Sequence, residues 1–329
     1  MSYGHYIKEI GRGAQGSRDL SQEDARQLYA AMLDGGVPDL ELGALIIALR
    51  VKGESTDELL GFMEAIDTRI HKFDMPHGRV RPVVLPTYNG ARKEANLTPL
   101  LALLLQRFGV PVLVHGLIEG FGRVTTGHIF RELGILPAAT PNQAQTQLRD
   151  NGLAFAPLSL IAPGLHQLLA LRARMGVRNS AHSLVKMINP FAGDAVMVAP
   201  ATHPDFIDLM RNLMLARGDR GLLLRGTEGE PYANPKRRPR LEYVHAGACN
   251  ILFEAEHESL RSLPSLPEAA DAASTAGWIR KVLDHQAPLP KPIANQLACL
   301  LHASGYAEDV NQAKAIVAVE SSGMTIGGN

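Results

Sequence analysis

The spacing of apolar residues changes near residue 73, and this change limits the folds open to the chain. From Leu20 to Asp67 apolar residues recur at helical spacing, with breaks at Gly35-Gly36 and Gly53. Around residues 73–82 prolines and glycines interrupt this periodicity, and short apolar runs then alternate with longer helical patterns. The sequence therefore predicts a helical domain over residues 1–78 and a larger α/β domain over residues 79–329.

The sequence also predicts individual helices, strands and loops. Ser21 and Ser55 are placed to cap helices. The predicted buried strands are Val83–Leu85, Val110–Val114 and Gly221–Leu224. The predicted helices of the second domain are Leu97–Phe108, Pro204–Arg217, Ala273–His285, Pro292–Ser304 and Asp309–Ser321. The polar, Gly- and Pro-rich segment Thr227–Arg240 is predicted to be an exposed loop.

Composition excludes several classes of protein. The chain has 329 residues, of which 46% are hydrophobic, so it is not intrinsically disordered. Its 33 basic and 33 acidic residues cancel, so no overall basic footprint marks it as a nucleic-acid binder. Cys249 and Cys299 form no CxxC motif and are too few for a disulfide framework, which favours a reducing cytoplasm. We expect no signal peptide in Met1–Gly13 and no membrane span in the proline-interrupted Asn151–Leu171.

Basic residues are nevertheless concentrated locally. Asn151–Gly193 carries four Lys or Arg residues and no Asp or Glu. On a helix predicted over Arg178–Ile188, the side chains of Arg178, His182 and Lys186 would share an arc of about 80°, opposite an apolar face. Arg172 and Arg174, on a preceding helix, would extend the same surface. This pattern predicts a cationic helix face, although ordinary solvated charges are the alternative interpretation.

A second basic cluster lies in the predicted loop that follows Glu230. It consists of Lys236, Arg237, Arg238 and Arg240, with Tyr232 and Tyr243 near enough in sequence to stack on bases. Neither cluster has the pattern of a sequence-reading module such as a helix-turn-helix or zinc finger. The two clusters therefore indicate contact with a phosphate backbone, with solvated surface charge again as the alternative.

Longer sequence blocks resemble a known family. Leu20–Ala25, Met32–Gly35 and Ala48–Leu59 are similar to the N-terminal helical domain of anthranilate phosphoribosyltransferases and pyrimidine nucleoside phosphorylases, and further matches extend over nearly the whole chain. The resemblance implies the fold of class III phosphoribosyltransferases: a small helical domain and a larger α/β domain with a central mixed sheet flanked by helices. It also implies a homodimer joined through the helical domains.

The substrate motifs of that family are altered in this chain. The family's glycine-rich pyrophosphate loop is matched by Pro86, Thr87, Tyr88, Asn89 and Gly90, in which a proline lacks an N–H and two side chains stand where the family has glycine. His115 and Gly116 remain from a second motif whose phosphate-binding charge is gone. Glu228 and Glu230 lie at or beside the family's magnesium-binding pair, and two carboxylates in an exposed loop are more often simply solvated.

The altered motifs resemble those of the YbiB group, an offshoot of the anthranilate phosphoribosyltransferases that binds nucleic acid without sequence preference. The resemblance implies a cytoplasmic homodimer that contacts a DNA or RNA backbone, needs no cofactor, and does not associate with membranes. One alternative is a glycosyl- or phosphoribosyl-transferase of changed specificity, with magnesium held by Glu228 or Glu230. Another is a pseudoenzyme that binds only proteins.

Overall fold

A computed structural model describes residues 3–13, 15–120, 122–257 and 265–322. The helices are α1 (Gly4–Ile10), α2 (Gln22–Leu33), α3 (Asp39–Lys52), α4 (Thr56–Asp67), α5 (Thr98–Arg107), α6 (Thr126–Glu132), α7 (Pro141–Asn151), α8 (Leu158–Ile161), α9 (Pro163–Ala170), α10 (Arg172–Met175), α11 (Ala181–Leu184), α12 (Pro204–Arg217), α13 (Ala272–Leu283), α14 (Lys291–Ala303) and α15 (Val310–Ser321). The strands are β1 (Val83–Thr87), β2 (Val112–Gly116), β3 (Leu153–Pro157), β4 (Val196–Ala201), β5 (Gly221–Arg225), β6 (Leu241–His245) and β7 (Ala248–Phe253). None of the helices in these described ranges is long and apolar enough to span a membrane.

The chain divides into two compact units, and the first is discontinuous in sequence. It contains Met1–Lys72 together with Leu158–Pro190, while the second contains Phe73–Pro157 and Phe191–Asn329. The sequence prediction placed one boundary at residue 78 and therefore assigned 158–190 to the α/β domain. Helices α8 to α11 instead pack with the N-terminal helices, as the contact of α9 with α2 shows. Sequence order hides this arrangement because the two parts meet only in the folded chain.

Helices α2 and α4 of the helical unit begin at the predicted caps. The Ser21 hydroxyl accepts the Asp24 N–H at 3.1 Å, and Ser55 forms a capping box with Glu58. Glu58 is fully buried, where it pairs with Lys52 at 2.7 Å and accepts the Leu20 N–H at 3.0 Å. These contacts tie the segment before α2 to α4, as expected for a buried carboxylate that needs partners.

The α/β unit is built on one seven-stranded sheet with the order β3-β2-β1-β4-β5-β6-β7. Strands β1 to β5 pair in parallel. Strand β6 pairs antiparallel with β5, and β7 pairs antiparallel with β6. Apolar side chains of β1 to β6 and of helices α5, α13 and α14 form the main core. The predicted α/β architecture with a mixed central sheet is confirmed. Its parallel strands bring the substrate-loop positions and Arg225 to the carboxyl end of the sheet, where α/β proteins place their ligands.

The predicted helix over Arg178–Ile188 is wrong. Only Ala181–Leu184 is helical, residues 185–186 form a turn, and residue 187 is a bend. The Asn179 side chain accepts the Ala181 N–H at 3.1 Å and donates to the Leu168 carbonyl at 2.7 Å, so local side-chain bonds replace the first helical turn. The regular cationic face that the periodicity indicated therefore does not form.

Candidate functional site

The positions of the former pyrophosphate loop surround a carboxylate from the chain itself. The N–H groups of Asn89 and Gly90 donate to Oε1 of Glu230 at 3.0 and 2.9 Å. The Thr87 hydroxyl donates to Oε2, and the Asn96 amide lies 3.5 Å from the same oxygen. Glu230 is fully buried, and burial raises the pKa of its carboxyl in spite of these donors. The altered loop therefore still directs two of its N–H groups towards a carboxylate.

Glu228 accepts hydrogen bonds from a second group of donors, which lies beside the first. Its Oε1 accepts the N–H groups of Arg92, Lys93 and Glu94 at 3.1, 2.8 and 2.9 Å, and its Oε2 lies 3.2 Å from the Arg123 guanidinium. Partial burial would raise the pKa of Glu228, but the three N–H groups and Arg123 together hold it below its usual value. The backbone of Glu228 has a φ of 52°, in the left-handed region that favours glycine.

Neither carboxylate is solvated in an exposed loop, so that expectation was wrong. Glu230 is 0% exposed, and the Glu228 side chain is 17% exposed. Magnesium prefers oxygen ligands, whereas the oxygens of both carboxylates face N–H and O–H donors. Within the described ranges, no group of three His, Cys, Asp or Glu side chains is arranged to hold a metal ion. The residues present therefore do not fit the magnesium site that the family resemblance implies.

The second remnant motif lies at the end of β2. Gly116 is required there, because a Cβ at this position would lie 1.5 Å from the Thr87 carbonyl oxygen on β1. His115 is fully buried, and neither of its ring nitrogens has a hydrogen-bond partner among the residues that the structure describes. Burial lowers the pKa of His115 to about 3. His115 is therefore a neutral core residue at physiological pH.

The first predicted basic cluster is only partly accessible. Arg174 is exposed and lies 3.1 Å from Asp39, and Arg172 and Arg178 are half-buried. His182 and Lys186 are 5% and 8% exposed, so the structure corrects their placement on a solvent-facing surface. Burial, assisted by the charge of Arg178, lowers the pKa of His182 to about 3, so His182 carries no positive charge at neutral pH. A role for this cluster in binding stays a prediction.

The second predicted basic cluster lines a cavity of about 980 Å³ in the α/β unit, which we call the cationic cleft. Three of its members are paired with acidic side chains: Lys236 with Glu94 at 2.9 Å, Arg238 with Glu256 at 3.3 Å, and Arg240 with Glu254 at 3.1 Å. The Thr227–Arg240 segment was predicted to be exposed, but much of it is buried. Tyr232 and Tyr243 are 0% and 8% exposed, so the predicted stacking of bases on them is wrong.

Three cations of the cleft carry no such partner. Lys93, Arg225 and Arg237 are exposed and line the cavity, and none of their side chains forms an ion pair or hydrogen bond with a described residue. Sequence reasoning identified Arg237 but missed the other two. Arg225 was detectable as a charged residue that ends an apolar strand, and Lys93 as a cation just beyond the substrate loop. The cleft therefore presents uncompensated positive charge to an anionic ligand.

Comparison with known proteins identifies a matching family model and relatives of the chain. Residues 4–69 match the model of the helical bundle domain of a glycosyl transferase family. A protein of Escherichia coli (strain K12) described as "uncharacterized protein YbiB" is 46% identical over 318 residues, which cover 96% of this chain and 99% of that protein. The anthranilate phosphoribosyltransferase of Leifsonia xyli subsp. xyli (strain CTCB07) is 30% identical over 275 residues, covering 82% of this chain and 76% of that enzyme.

Solved structures share the same fold. The anthranilate phosphoribosyltransferase of Thermus thermophilus superimposes with a TM-score of 0.78 at 21% identity, covering 96% of this chain and 94% of that one. The enzyme of Saccharomyces cerevisiae, solved in complex with PRPP and Mg, gives a TM-score of 0.73 at 14% identity, covering 97% and 93%. With the sequence identities above, these matches show that the chain belongs to the anthranilate phosphoribosyltransferase-like family.

Proposed function

We propose that the chain binds DNA or RNA through the phosphate backbone, without reading base sequence, and that the cationic cleft is the binding surface. The observation that carries the proposal is the presence of Lys93, Arg225 and Arg237 on one open cavity without acidic partners among the described residues. Exposed cations of this kind gain free energy by releasing the counterions condensed on a nucleic acid. With Tyr232 and Tyr243 buried, contacts to phosphates rather than stacking on these rings would supply the affinity.

The alternative of a transferase with changed specificity has less support. In this chain the Asn89 and Gly90 N–H groups of the altered loop are occupied by Glu230, and neither Glu228 nor Glu230 is arranged as a magnesium ligand. We therefore propose that the chain is a pseudoenzyme that needs no cofactor. Both cysteines are free thiols, and we propose the cytoplasm as its location.

Binding through the cleft predicts a particular response to charge reversal. Arg225→Glu with Arg237→Glu should weaken binding of a random single-stranded oligonucleotide with a 5′-hydroxyl end by at least about tenfold. The slope of log K against log salt should become shallower by about 0.7 for each phosphate that the variant no longer neutralises. Fluorescence anisotropy at several salt concentrations measures both quantities. The matched control is Arg79→Glu with Arg131→Glu, because these exposed arginines lie outside the cleft but change the net charge equally.

Similar binding by the two double variants would remove the cleft from the interface. If neither the wild type nor the control bound the oligonucleotide at low salt, the proposed function itself would be wrong. Tight, magnesium-dependent binding of phosphoribosyl pyrophosphate would favour the transferase alternative, and it can be measured by calorimetry on the same preparation.

We also propose that the chain forms a homodimer through the helical unit. Leu40, Ile47 and Val51 on α3 are 83%, 41% and 76% exposed, and at 100° per residue they share an arc of about 40°. An exposed apolar stripe of this kind is typical of a protein interface. A second copy of the chain is the partner that the family resemblance implies.

Charged residues in this stripe should separate the dimer. Leu40→Glu with Val51→Glu is expected to halve the molar mass measured by light scattering, because two carboxylates on each protomer would have to lose water at the interface. Leu136→Glu is the matched control, since Leu136 is 61% exposed and lies on the α/β unit. A dimeric double variant, or a monomeric wild type, would contradict the proposed interface.

A further inference from the structure

Glu228 differs from Glu230 in its access to the cationic cleft. Glu230 is fully buried among its four donors, whereas Glu228 lines the cleft and its side chain is 17% exposed. A buried carboxylate with several donors is a fixed part of the structure, because its removal leaves those donors without partners. Glu228 lies at the wall of an open cavity, and part of its side chain is in contact with solvent. Only Glu228 is therefore placed to exchange with a ligand.

The donors that hold Glu228 form a ready-made oxyanion site. Three consecutive N–H groups, those of Arg92, Lys93 and Glu94, converge on one carboxylate oxygen, and the Arg123 guanidinium faces the other. Successive backbone N–H groups that point to one spot are a common way for proteins to bind phosphate or carboxylate. The exposed Lys93 side chain adds a cation on the adjoining cleft wall.

The charge of the competing group decides which ligand can displace Glu228. A phosphomonoester carries a charge of about −1.5 to −2 at pH 7 and offers three acceptor oxygens, whereas a backbone phosphodiester has a single negative charge. A carboxylate has one charge and two oxygens. A phosphomonoester can therefore use all the donors and gain more from Arg123 and Lys93 than the Glu228 side chain does.

We propose that the N–H groups of Arg92, Lys93 and Glu94, together with the Arg123 guanidinium, form a phosphomonoester site on the cationic cleft, in which the Glu228 carboxylate is a resident and displaceable anion. Both free phosphate and the phosphorylated end of a nucleic acid supply this chemistry. The second source rests on the proposed nucleic-acid function, and the first does not. The site is separate from the Asn89 and Gly90 N–H groups, which Glu230 keeps permanently occupied.

The first test removes the resident anion and measures binding of inorganic phosphate by calorimetry. Glu228→Ala should bind phosphate at least about tenfold more tightly than the wild type, because three N–H groups and a guanidinium lose their acceptor. Glu256→Ala is the matched control: Glu256 lines the same cleft and pairs with Arg238, so its removal changes the cleft charge equally. Adding Arg123→Ala to Glu228→Ala should abolish the gain.

Equal phosphate affinities in Glu228→Ala and Glu256→Ala would overturn the proposal, because a general charge effect would then explain the gain. Circular dichroism checks that each variant is folded. If Glu228→Ala does not fold, Glu228→Gln serves instead: its amide keeps one acceptor oxygen but no charge, and its phosphate affinity should still exceed that of Glu256→Ala.

The second test uses the wild-type chain and two oligonucleotides that differ only at the 5′ end. The 5′-phosphorylated form should bind about tenfold more tightly than the 5′-hydroxyl form, and the difference should persist in Glu256→Ala and vanish in Arg123→Ala. Equal affinities in the wild type would show that Glu228 is not displaced. If neither oligonucleotide bound while Glu228→Ala still gained phosphate affinity, the nucleic-acid function would fail and the oxyanion site would stand.

Discussion

Replacing Glu230 by alanine is expected to lower the free energy of unfolding by about 3 kcal/mol. The Thr87 hydroxyl and the N–H groups of Asn89 and Gly90 all donate to this carboxylate, and the Asn96 amide is close to it. Glu230 is fully buried, so no bulk water replaces the lost acceptor. Each buried donor left without a partner costs about 1–3 kcal/mol, while relief of the buried charge offsets part of the sum.

Urea unfolding, followed through the fluorescence of Trp278, the single tryptophan of the chain, measures this loss. Glu254→Ala is the control, because Glu254 forms an exposed ion pair with Arg240 whose removal should change stability by less than about 1 kcal/mol. Glu230→Gln keeps one acceptor oxygen and should fall between the wild type and the alanine variant. An alanine variant as stable as the control would mean that the carboxylate does not hold the loop in place.

Acidification is expected to destabilise the folded chain strongly through His115. Burial lowers the pKa of His115 to about 3 from an ordinary value of 6.5, so between these values the unfolded chain binds a proton that the folded chain does not. Above pH 6.5 His115 is neutral in both the folded and the unfolded chain, so it does not lower the free energy of unfolding. As the pH falls from 6.5 towards 3, this free energy decreases progressively. The loss approaches about 1.4 kcal/mol for each pH unit well inside this window.

Chemical denaturation of the wild type and His115→Leu between about pH 7.5 and about pH 4.5 isolates this effect. The leucine variant should show a pH dependence that is shallower by up to one proton, because it removes the titrating group and two buried nitrogens without partners among the described residues. His182, with a pKa also lowered to about 3, keeps its own contribution in both proteins. Glu230 has a raised pKa and acts in the opposite sense, and it too cancels in the comparison.

His77→Leu, which removes an exposed histidine, controls for the general effect of losing an imidazole. If the pH profile of His115→Leu coincided with that of the wild type, His115 would not be excluded from protonation in the folded chain.

The helices and strands that the sequence predicted well are those that follow from residue patterns and contacts within a short stretch of the chain. Pro204–Arg217 is the observed α12, and Gly221–Leu224 is extended by a single residue in β5. Short apolar runs fit the interior strands of a parallel sheet, and amphipathic patterns fit the helices that cover it. The Ser21 and Ser55 caps were also detectable, because each cap and its N–H partner are three residues apart.

The predictions that failed concern polar residues whose partners are distant in sequence. Thr227–Arg240 is rich in polar, Gly and Pro residues, which is typical of an exposed loop, yet Glu230 is buried because its donors come from residues 87–96. Lys186 and His182 were assigned to a solvent-facing helix, but the helix is short and both side chains are buried. Composition estimates average exposure, and it does not identify such partners.

The amino-acid sequence by itself determined the α/β architecture, the helical N-terminal region, and the loss of the family's glycine-rich loop, because these follow from local periodicity and residue type. Only the tertiary structure decided that 158–190 joins the helical unit, that Lys93 and Arg225 share a cavity with Arg237, and that Glu228 and Glu230 occupy the N–H groups of the altered loop. The physical reason is that burial and hydrogen bonding depend on which residues, distant in sequence, come into contact in the folded chain. No local sequence pattern specifies those contacts.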